Sequence, residues 1–150
     1  MLVSDRTILL LSGPNLNLLG EREPEIYGRT TLEELVALAR SEAGALDCDL
    51  EHLQSNHEGV LVDAVHGARG RIAALVVNAG ALTHYGWSLH DALAAYDGVV
   101  VELHLSNPQR RESWRSTSVV APVADGVVAG FGPAGYPMAV RAAVGLLDAR

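Results

Sequence analysis

The sequence predicts an α/β protein built on a parallel β-sheet, and three observations support that fold class. Largely apolar runs without alternation occur at residues 8–11, 72–77 and 98–103. Such runs are typical of central strands that are covered on both faces. Segments with helical spacing lie between these runs, joined to them by loops. Strands that alternate with helices in this way favour parallel pairing, with the crossover helices packed on the sheet.

Local signals predict the remaining elements. Thr31 to Glu34 has the pattern of a capping box, and the apolar positions that follow keep helical spacing to about Leu46. Further helices are expected at about residues 60–70, 88–95 and 133–147, with a short exposed helix at 109–115. Shorter strands are expected at residues 49–53 and 127–129. The prediction is therefore a sheet of five strands connected mainly through helices.

The size and charge of the chain limit its class. Its 150 residues, of which 49% are apolar, are enough for a single domain, residues 1–150, with a full core. The apolar runs are far shorter than a membrane span and the N-terminus has no export signal, so we expect a cytoplasmic protein. The net charge of −7 disfavours nucleic acid and anionic membranes as partners.

Cysteine and lysine usage excludes several chemistries. Cys48 is the single cysteine, so an internal disulfide and a multi-thiolate metal site are excluded, and we expect the thiol to be buried. Every one of the eleven basic residues is arginine. Without lysine, the chain cannot form a lysine Schiff base, hold pyridoxal phosphate through one or build a Walker A loop. The histidines lack metal-ligand spacing, so no metal is expected.

A long polar segment follows the first predicted strand. Gly13, Pro14 and Asn15 are typical of a turn, and the sequence as far as Thr30 has neither helical nor strand spacing. A loop of this length in a compact domain is usually a binding loop or a lid. We place this lid at about residues 18–28.

Polar side chains stand at the ends of three predicted strands. Asn15, Asn78 and His104 each follow or end an apolar run. Ligands of open α/β sheets bind beyond the carboxyl ends of the strands, at the point where the strand order reverses. If the first, third and fourth strands are neighbours, these residues converge on one crevice. Each alone is equally well explained as structural, so the prediction depends on all three together.

Two arginines and a tyrosine are the other site candidates. Arg22 lies in the lid and Arg115 follows the strand that carries His104, so both could provide positive charge near the crevice. Tyr27 ends the lid and is either a packing anchor or a base. A phenol is protonated at neutral pH, but a guanidinium within hydrogen-bonding distance favours the phenolate. We therefore expect Arg22 to activate Tyr27.

A glycine-rich segment near the C-terminus resembles a dinucleotide-binding motif. Residues 130–135, GFGPAG, match G-x-G-x-x-G between a strand and a helix. That motif requires an acidic residue about twenty positions further on to hold the ribose, within a longer βαβ unit. The sequence after it is too short for that unit. We interpret the segment as a tight turn.

Four ordered motifs resemble the type II 3-dehydroquinate dehydratases. They are GPNLNLLGEREPEIYG from Gly13, QSNHEG from Gln54, NAGALTHYGWSLHDAL from Asn78 and VELHLSNPQRRESWR from Val101. The resemblance implies a flavodoxin-like three-layer sandwich with strand order 2-1-3-4-5 and no cofactor. It also implies a dodecamer built from trimers, and conversion of 3-dehydroquinate to 3-dehydroshikimate and water. The type I enzymes use a lysine imine, which this chain cannot form.

The resemblance also implies roles for individual residues. Tyr27 would remove the C2 proton, with Arg22 favouring its ionised form. Asn15 would hold a water that stabilises the enolate, and His104, positioned by Glu102, would protonate the departing hydroxyl. Substrate binding would involve six further residues: Asn78, Leu105 and Ser106 for the carboxylate, His84 and Arg115 for the ring hydroxyls, and Asp91 from a neighbouring subunit. The alternative is a non-catalytic flavodoxin-like module that binds a nucleotide or a protein.

Overall fold

The computed structural model describes residues 6–150 and contains a five-stranded parallel sheet. Its strands are β1 (Thr7–Ser12), β2 (Asp49–Gln54), β3 (Ala74–Asn78), β4 (Val99–His104) and β5 (Gly126–Ala129). Their order in the sheet is β2-β1-β3-β4-β5, and every neighbouring pair is parallel. All residues of β1, β3 and β4 are buried. The predicted fold class and strand order are therefore confirmed.

Helices cover both faces of the sheet. They are α1 (Pro24–Tyr27), α2 (Leu32–Ala45), α3 (Glu58–Ala68), α4 (Trp87–Ala94) and α5 (Gly135–Asp148). α2 packs against α5 on one face, where their apolar side chains meet those of β1, β3 and β4 in one core cluster. α3 and α4 form the other layer, over a second core cluster. Alternate residues of each central strand point into these two clusters, which explains their unbroken apolar sequence.

The start of α2 and the burial of the cysteine agree with the sequence prediction. The Thr31 hydroxyl accepts a hydrogen bond from the backbone N–H of Glu34 at 3.2 Å, so the N-terminal cap forms. Cys48 is buried, and burial raises the pKa of its thiol. The helix α5 begins at Gly135, slightly later than predicted, because residues 132–134 form a tighter 3₁₀ turn after β5. The GFGPAG segment is therefore a strand-to-helix turn, as interpreted.

Two predictions about loops are wrong. The expected helix at residues 109–115 is absent, and two 3₁₀ turns, Pro108–Arg110 and Ser113–Ser116, take its place. Arg111 between them has extended backbone angles, which end the first turn. The segment after β1 is also less irregular than predicted, because it contains a 3₁₀ turn at Leu16–Leu18 and the single helical turn α1. Pro24 begins α1, where its fixed φ suits a first helical position.

Two glycines bring the loops after β1 and β3 into direct contact. A Cβ atom at Gly13 would overlap the backbone carbonyl of Ala79, and one at Gly80 would lie 2.9 Å from the carbonyl oxygen of Pro14. Gly80 also has a φ of 59°, which L-residues rarely adopt. The backbone N–H of Gly13 donates to the carbonyl of Asn78 at 2.8 Å. This approach holds the loop residues that follow both strands beside each other.

No helix among residues 6–150 is long and apolar enough to cross a membrane.

Candidate active site

A crevice lies at the carboxyl ends of β1, β3 and β4. Asn15, Asn78 and His104 all line it, so the predicted convergence of the three strand ends is confirmed. The lid contributes Arg22 and Tyr27 to the same lining, and the segment after β4 contributes Leu105, Ser106, Arg111 and Arg115. The cavity has a volume of about 60 Å³. With the lid in this position it is a small polar space that is partly open to solvent.

His104 is held by a buried carboxylate on its own strand. Its Nε2 lies 2.5 Å from Oε2 of Glu102, which is 2% exposed. The Ser118 hydroxyl donates to the same oxygen at 2.9 Å, and that hydroxyl in turn accepts from the backbone N–H groups of Val120 and Ala121. Because a carboxylate can only accept, Nε2 carries a proton, and Nδ1 is the ring nitrogen left for a ligand.

Tyr27 is docked onto an arginine that the sequence prediction did not select. Nη1 of Arg111 donates to the Tyr27 hydroxyl at 2.6 Å and to the Ser106 hydroxyl at 3.3 Å. The hydrogen bond expected from Arg22 is not the one that forms. Arg22 instead lies with its guanidinium carbon 5.4 Å from the centre of the Tyr27 ring and pairs with Glu23 at 3.2 Å. Two cations therefore flank the Tyr27 phenol: Arg111 lies at its oxygen and also 5.0 Å from the ring centre, whereas Arg22 lies at the ring alone.

The Asn78 side chain is fixed by two partners. Its Nδ2 donates to the Tyr136 hydroxyl at 3.1 Å, and its Oδ1 accepts from the backbone N–H of Gly80 at 3.3 Å. Tyr136 is fully buried in α5, and burial raises its pKa to about 12. An amide nitrogen has two hydrogens, so one N–H of Asn78 remains free to bind a ligand in the crevice.

His84 and Arg115 line the crevice, and both contact Trp114. Nδ1 of His84 donates to the Thr117 carbonyl at 2.7 Å, and burial lowers the pKa of this imidazole, so it is neutral at pH 7. The edge of the His84 ring meets Trp114 with a centroid distance of 5.3 Å. Arg115 stacks on Trp114 at 4.1 Å and pairs with Glu112 at 3.1 Å.

Of the other predicted site residues, one lies away from the crevice. Leu105 and Ser106 line it directly after β4, and Asn15 lines it with a left-handed backbone at φ 68°. Asp91 is an exposed residue of α4 and is not part of this lining. No group of three His, Cys, Asp or Glu side chains within residues 6–150 is arranged to hold a metal ion.

Two histidines outside the crevice have structural hydrogen-bond partners. His52 Nε2 lies 2.9 Å from the Ser12 hydroxyl, and burial lowers the pKa of His52. His90 donates from Nδ1 to the Val119 carbonyl at 2.6 Å. Neither ring lines the crevice.

Sequence reasoning missed Arg111, Ser118 and Tyr136. Arg111 was assigned to an exposed helix, yet its side chain is 13% exposed. None of the three carried a local signal, since each acts through a partner distant in sequence.

The doubly wound sheet, with a polar crevice where the strand order reverses between β1 and β3, defines a flavodoxin-like α/β protein with a ligand site. The family model for class II dehydroquinases matches residues 6–144. The chain belongs to this family.

Similar proteins cover nearly all of the chain. A 3-dehydroquinate dehydratase from Corynebacterium glutamicum is 53% identical over 133 residues, covering 89% of this chain and 92% of that protein. A catabolic 3-dehydroquinase from Phaeosphaeria nodorum is 49% identical over 136 residues, covering 91% and 90%. The crystal structure of a type II dehydroquinase from Butyrivibrio crossotus has a TM-score of 0.89 at 39% identity and covers 97% of this chain and 99% of its own.

Proposed function

We propose that this protein dehydrates 3-dehydroquinate to 3-dehydroshikimate through an enolate, as a single catalytic domain of residues 1–150. Membership of the class II dehydroquinase family supports the reaction. One observation carries the assignment of roles: a lid phenol and a strand imidazole backed by a buried carboxylate line the same crevice. A base and an acid in one small polar site are what a stepwise elimination of water requires.

Tyr27 is the proposed base. As phenolate it removes the proton from C2, next to the ketone, and the electrons of the broken C–H bond pass into the carbonyl to form an enolate. Arg111 donates to the Tyr27 hydroxyl and Arg22 lies against its ring, so two guanidinium groups surround the proposed base. Asn15 holds a water against the enolate oxygen. The hydrogen bond to the Tyr27 hydroxyl comes from Arg111, whereas the sequence prediction assigned it to Arg22.

His104 is the proposed acid. The enolate collapses to the enone, the C1–O bond breaks, and its electron pair leaves with the oxygen. Nδ1 of His104 gives that oxygen a proton, so the second product is water. Glu102 holds the opposite ring nitrogen, and Ser118 holds Glu102. The pair therefore keeps Nδ1, the proposed proton donor, in a fixed orientation.

The proposed substrate contacts use the remaining residues of the crevice. The free N–H of Asn78 and the backbone N–H groups of Leu105 and Ser106 bind the carboxylate. His84, which is neutral, and Arg115 bind the ring hydroxyls. Because the lid at residues 18–28 lines a cavity of only about 60 Å³, substrate enters when the Tyr27 contact with Arg111 opens.

We also infer a homododecamer made of four trimers. The resemblance supports this assembly, as does the position of Asp91, which is exposed on α4 and outside the crevice of its own chain. In the trimer, Asp91 reaches the site of a neighbouring subunit. Light scattering on the purified protein should give a mass of about twelve chains. A monomer with full activity would contradict this inference.

The activity assay tests the proposed function. Purified protein is mixed with 3-dehydroquinate in the presence of a chelator, and the enone absorbance of 3-dehydroshikimate is followed. We expect turnover with chelator present; its absence would exclude the proposal. A flavin or nucleotide in the absorption spectrum of the purified protein would instead favour the alternative of a non-catalytic binding module.

A further inference from the structure

The turn after β1 is held from both sides by the neighbouring strand ends. β1 lies between β2 and β3 in the sheet. On the β3 side, the backbone N–H of Gly13 donates to the Asn78 carbonyl at 2.8 Å. On the β2 side, Nε2 of Gln54, the last residue of β2, donates to the Gly13 carbonyl at 3.2 Å. Both polar backbone groups of Gly13 are therefore paired, each with a different strand end.

Asn56 extends this support to Asn15. Oδ1 of Asn56 accepts from the backbone N–H of Asn15 at 3.0 Å and from Nε2 of Gln54 at 3.2 Å. A backbone N–H can only donate and a backbone carbonyl can only accept, so these contacts fix the orientation of both side-chain amides. Gln54 acts as the donor and Asn56 as the acceptor. We call these two residues the amide pair.

The amide pair holds a residue with a rare backbone conformation. Asn15 has φ 68° and ψ −2°, in the left-handed region. Residues other than glycine are uncommon in that region, and such conformations persist only where surrounding contacts hold them. The Asn15 side chain does not cap the 3₁₀ turn that follows, and it lines the crevice instead. Gln54 and Asn56 do not line the crevice, so any effect of theirs on the reaction is transmitted through the turn.

We propose that Gln54 and Asn56 are positioning residues that keep the Asn15 side chain in place for the reaction. This inference rests on the proposed function, in which Asn15 holds a water against the enolate oxygen. The enolate exists only after the C2 proton has been removed, so a displaced Asn15 weakens a contact to the intermediate and not to the bound substrate. Loss of the amide pair therefore lowers kcat and leaves KM nearly unchanged.

Two substitutions of equal charge and nearly constant shape test the hydrogen bonds of the amide pair. Asn56→Asp keeps an acceptor oxygen for the Asn15 N–H and for Gln54, because both groups donate to Asn56. Gln54→Glu cannot donate, so it loses the contacts to Gly13 and Asn56. Each variant adds one negative charge, and the two positions are neighbours in the same turn. Asn56→Ala removes the acceptor altogether.

Steady-state kinetics on 3-dehydroquinate provide the first readout. We expect kcat to fall about tenfold in Gln54→Glu and in Asn56→Ala, with KM within about threefold of the wild-type value. Asn56→Asp should keep kcat within about twofold of the wild type, because its hydrogen bonds remain. If Asn56→Asp is impaired as much as Gln54→Glu, the added charge explains both results and the inference is wrong.

A double-mutant cycle tests whether Asn56 acts through Asn15. In the Asn15→Ala background, the further substitution Asn56→Ala should change kcat less than about twofold, because the group that Asn56 positions is already gone. Equal losses of kcat in both backgrounds would show that Asn56 acts independently of Asn15. A wild-type kcat in Asn15→Ala alone would also overturn the inference, since the reaction would then not depend on Asn15.

Hydrogen exchange provides a readout that does not depend on activity. Deuterium uptake by a peptide that includes Asn15, measured by mass spectrometry, should be faster in Asn56→Ala than in the wild type and unchanged in Asn56→Asp. Equal uptake in all three proteins would contradict the hold on Asn15. If circular dichroism shows that Asn56→Ala does not fold, the comparison of Asn56→Asp with Gln54→Glu decides alone. A wild type that does not convert 3-dehydroquinate, with Asn15 still protected by Asn56, would contradict the proposed function instead.

Discussion

At the scale of single residues, the charge around Tyr27 decides how the proposed base works. The Arg111 side chain is 13% exposed and donates directly to the phenol oxygen at 2.6 Å. The Arg22 side chain is 36% exposed, and Glu23 partly neutralises it. Charge interactions strengthen as water is excluded, so Arg111 acts on the oxygen in the less polar surroundings. Arg22 acts through the ring face and through the lid that carries it.

Replacing the proposed base should affect chemistry more than binding. Tyr27→Phe deletes the hydroxyl and keeps most of the contact surface. We expect kcat to fall by about a hundredfold or more, with KM changed far less, since a general base typically contributes a factor of about 10² to 10⁴. Steady-state kinetics on 3-dehydroquinate measure both parameters. A normal kcat in this variant would exclude Tyr27 as the base.

The arginine at the Tyr27 hydroxyl can be tested against its sequence neighbour. Arg111→Lys keeps the positive charge but cannot bridge Tyr27 and Ser106 with the same planar group. We expect kcat to fall at least about tenfold. Arg110→Lys is the control, because Arg110 is exposed on the adjacent turn and should keep activity near the wild-type level. Equal kinetics in the two variants would remove Arg111 from the mechanism.

At the scale of elements, the loops after β1 and β3 position the site. Gly13 and Gly80 let these loops pack backbone against backbone, and Asn15 and Asn78 lie on either side of that contact. The sheet positions the strands themselves, because β1 and β3 are paired along their length. Ile8 lies opposite Ala74 at one end of this pairing, and Ser12 lies opposite Asn78 at the other. The crevice is therefore a product of two rigid strands whose connecting loops are locked together.

A methyl group at this contact should separate the loops. In Gly13→Ala the new Cβ meets the Ala79 carbonyl, so we expect the free energy of unfolding to drop by roughly 1–3 kcal/mol and activity to fall. Gly145→Ala is the control: Gly145 lies in α5 with nothing near its Cβ position, and alanine there should stabilise by up to about 1 kcal/mol. Urea unfolding compares the two. Unchanged stability of Gly13→Ala would contradict the close approach.

At the scale of the whole molecule, one helix layer reaches into the site through a buried tyrosine. Tyr136 of α5 lies in the core cluster formed with β1, β3 and β4, and its hydroxyl orients Asn78. The same burial favours the neutral phenol in the folded protein. The cytoplasmic location and the dodecamer, which also belong to this scale, stay predictions.

This buried phenol should make the fold sensitive to alkali. The pKa of Tyr136 is about 12 in the folded protein, above the reference value of 10.0, so ionisation favours the unfolded chain. Its contribution to stability is therefore complete below pH 10 and is lost between pH 10 and 12, with a slope of up to about 1.4 kcal/mol per pH unit. Tyr136→Phe should flatten that slope in denaturant titrations. Tyr96, whose pKa burial also raises, leaves a residual slope in the same direction.

Much of the candidate site was predictable because it depends on local patterns. Unbroken apolar runs located the strands, and the rule that ligands bind beyond strand ends selected Asn15, Asn78 and His104. Tyr27 and Arg22 also line the crevice as expected. The failed helix at residues 109–115 has a local cause too, since charge composition does not distinguish an α-helix from two 3₁₀ turns separated by an extended Arg111.

By itself, the sequence determined the α/β class, the order of elements along the chain and the residues at the strand ends. Only the tertiary structure decided which side chains contact the residues of the candidate site. Arg111 reaches Tyr27 across 84 positions, Tyr136 reaches Asn78 across 58, and Ser118 reaches Glu102 across 16. Contacts at such separations follow from the packing of strands, helices and loops in space, which leaves no periodic trace in the sequence.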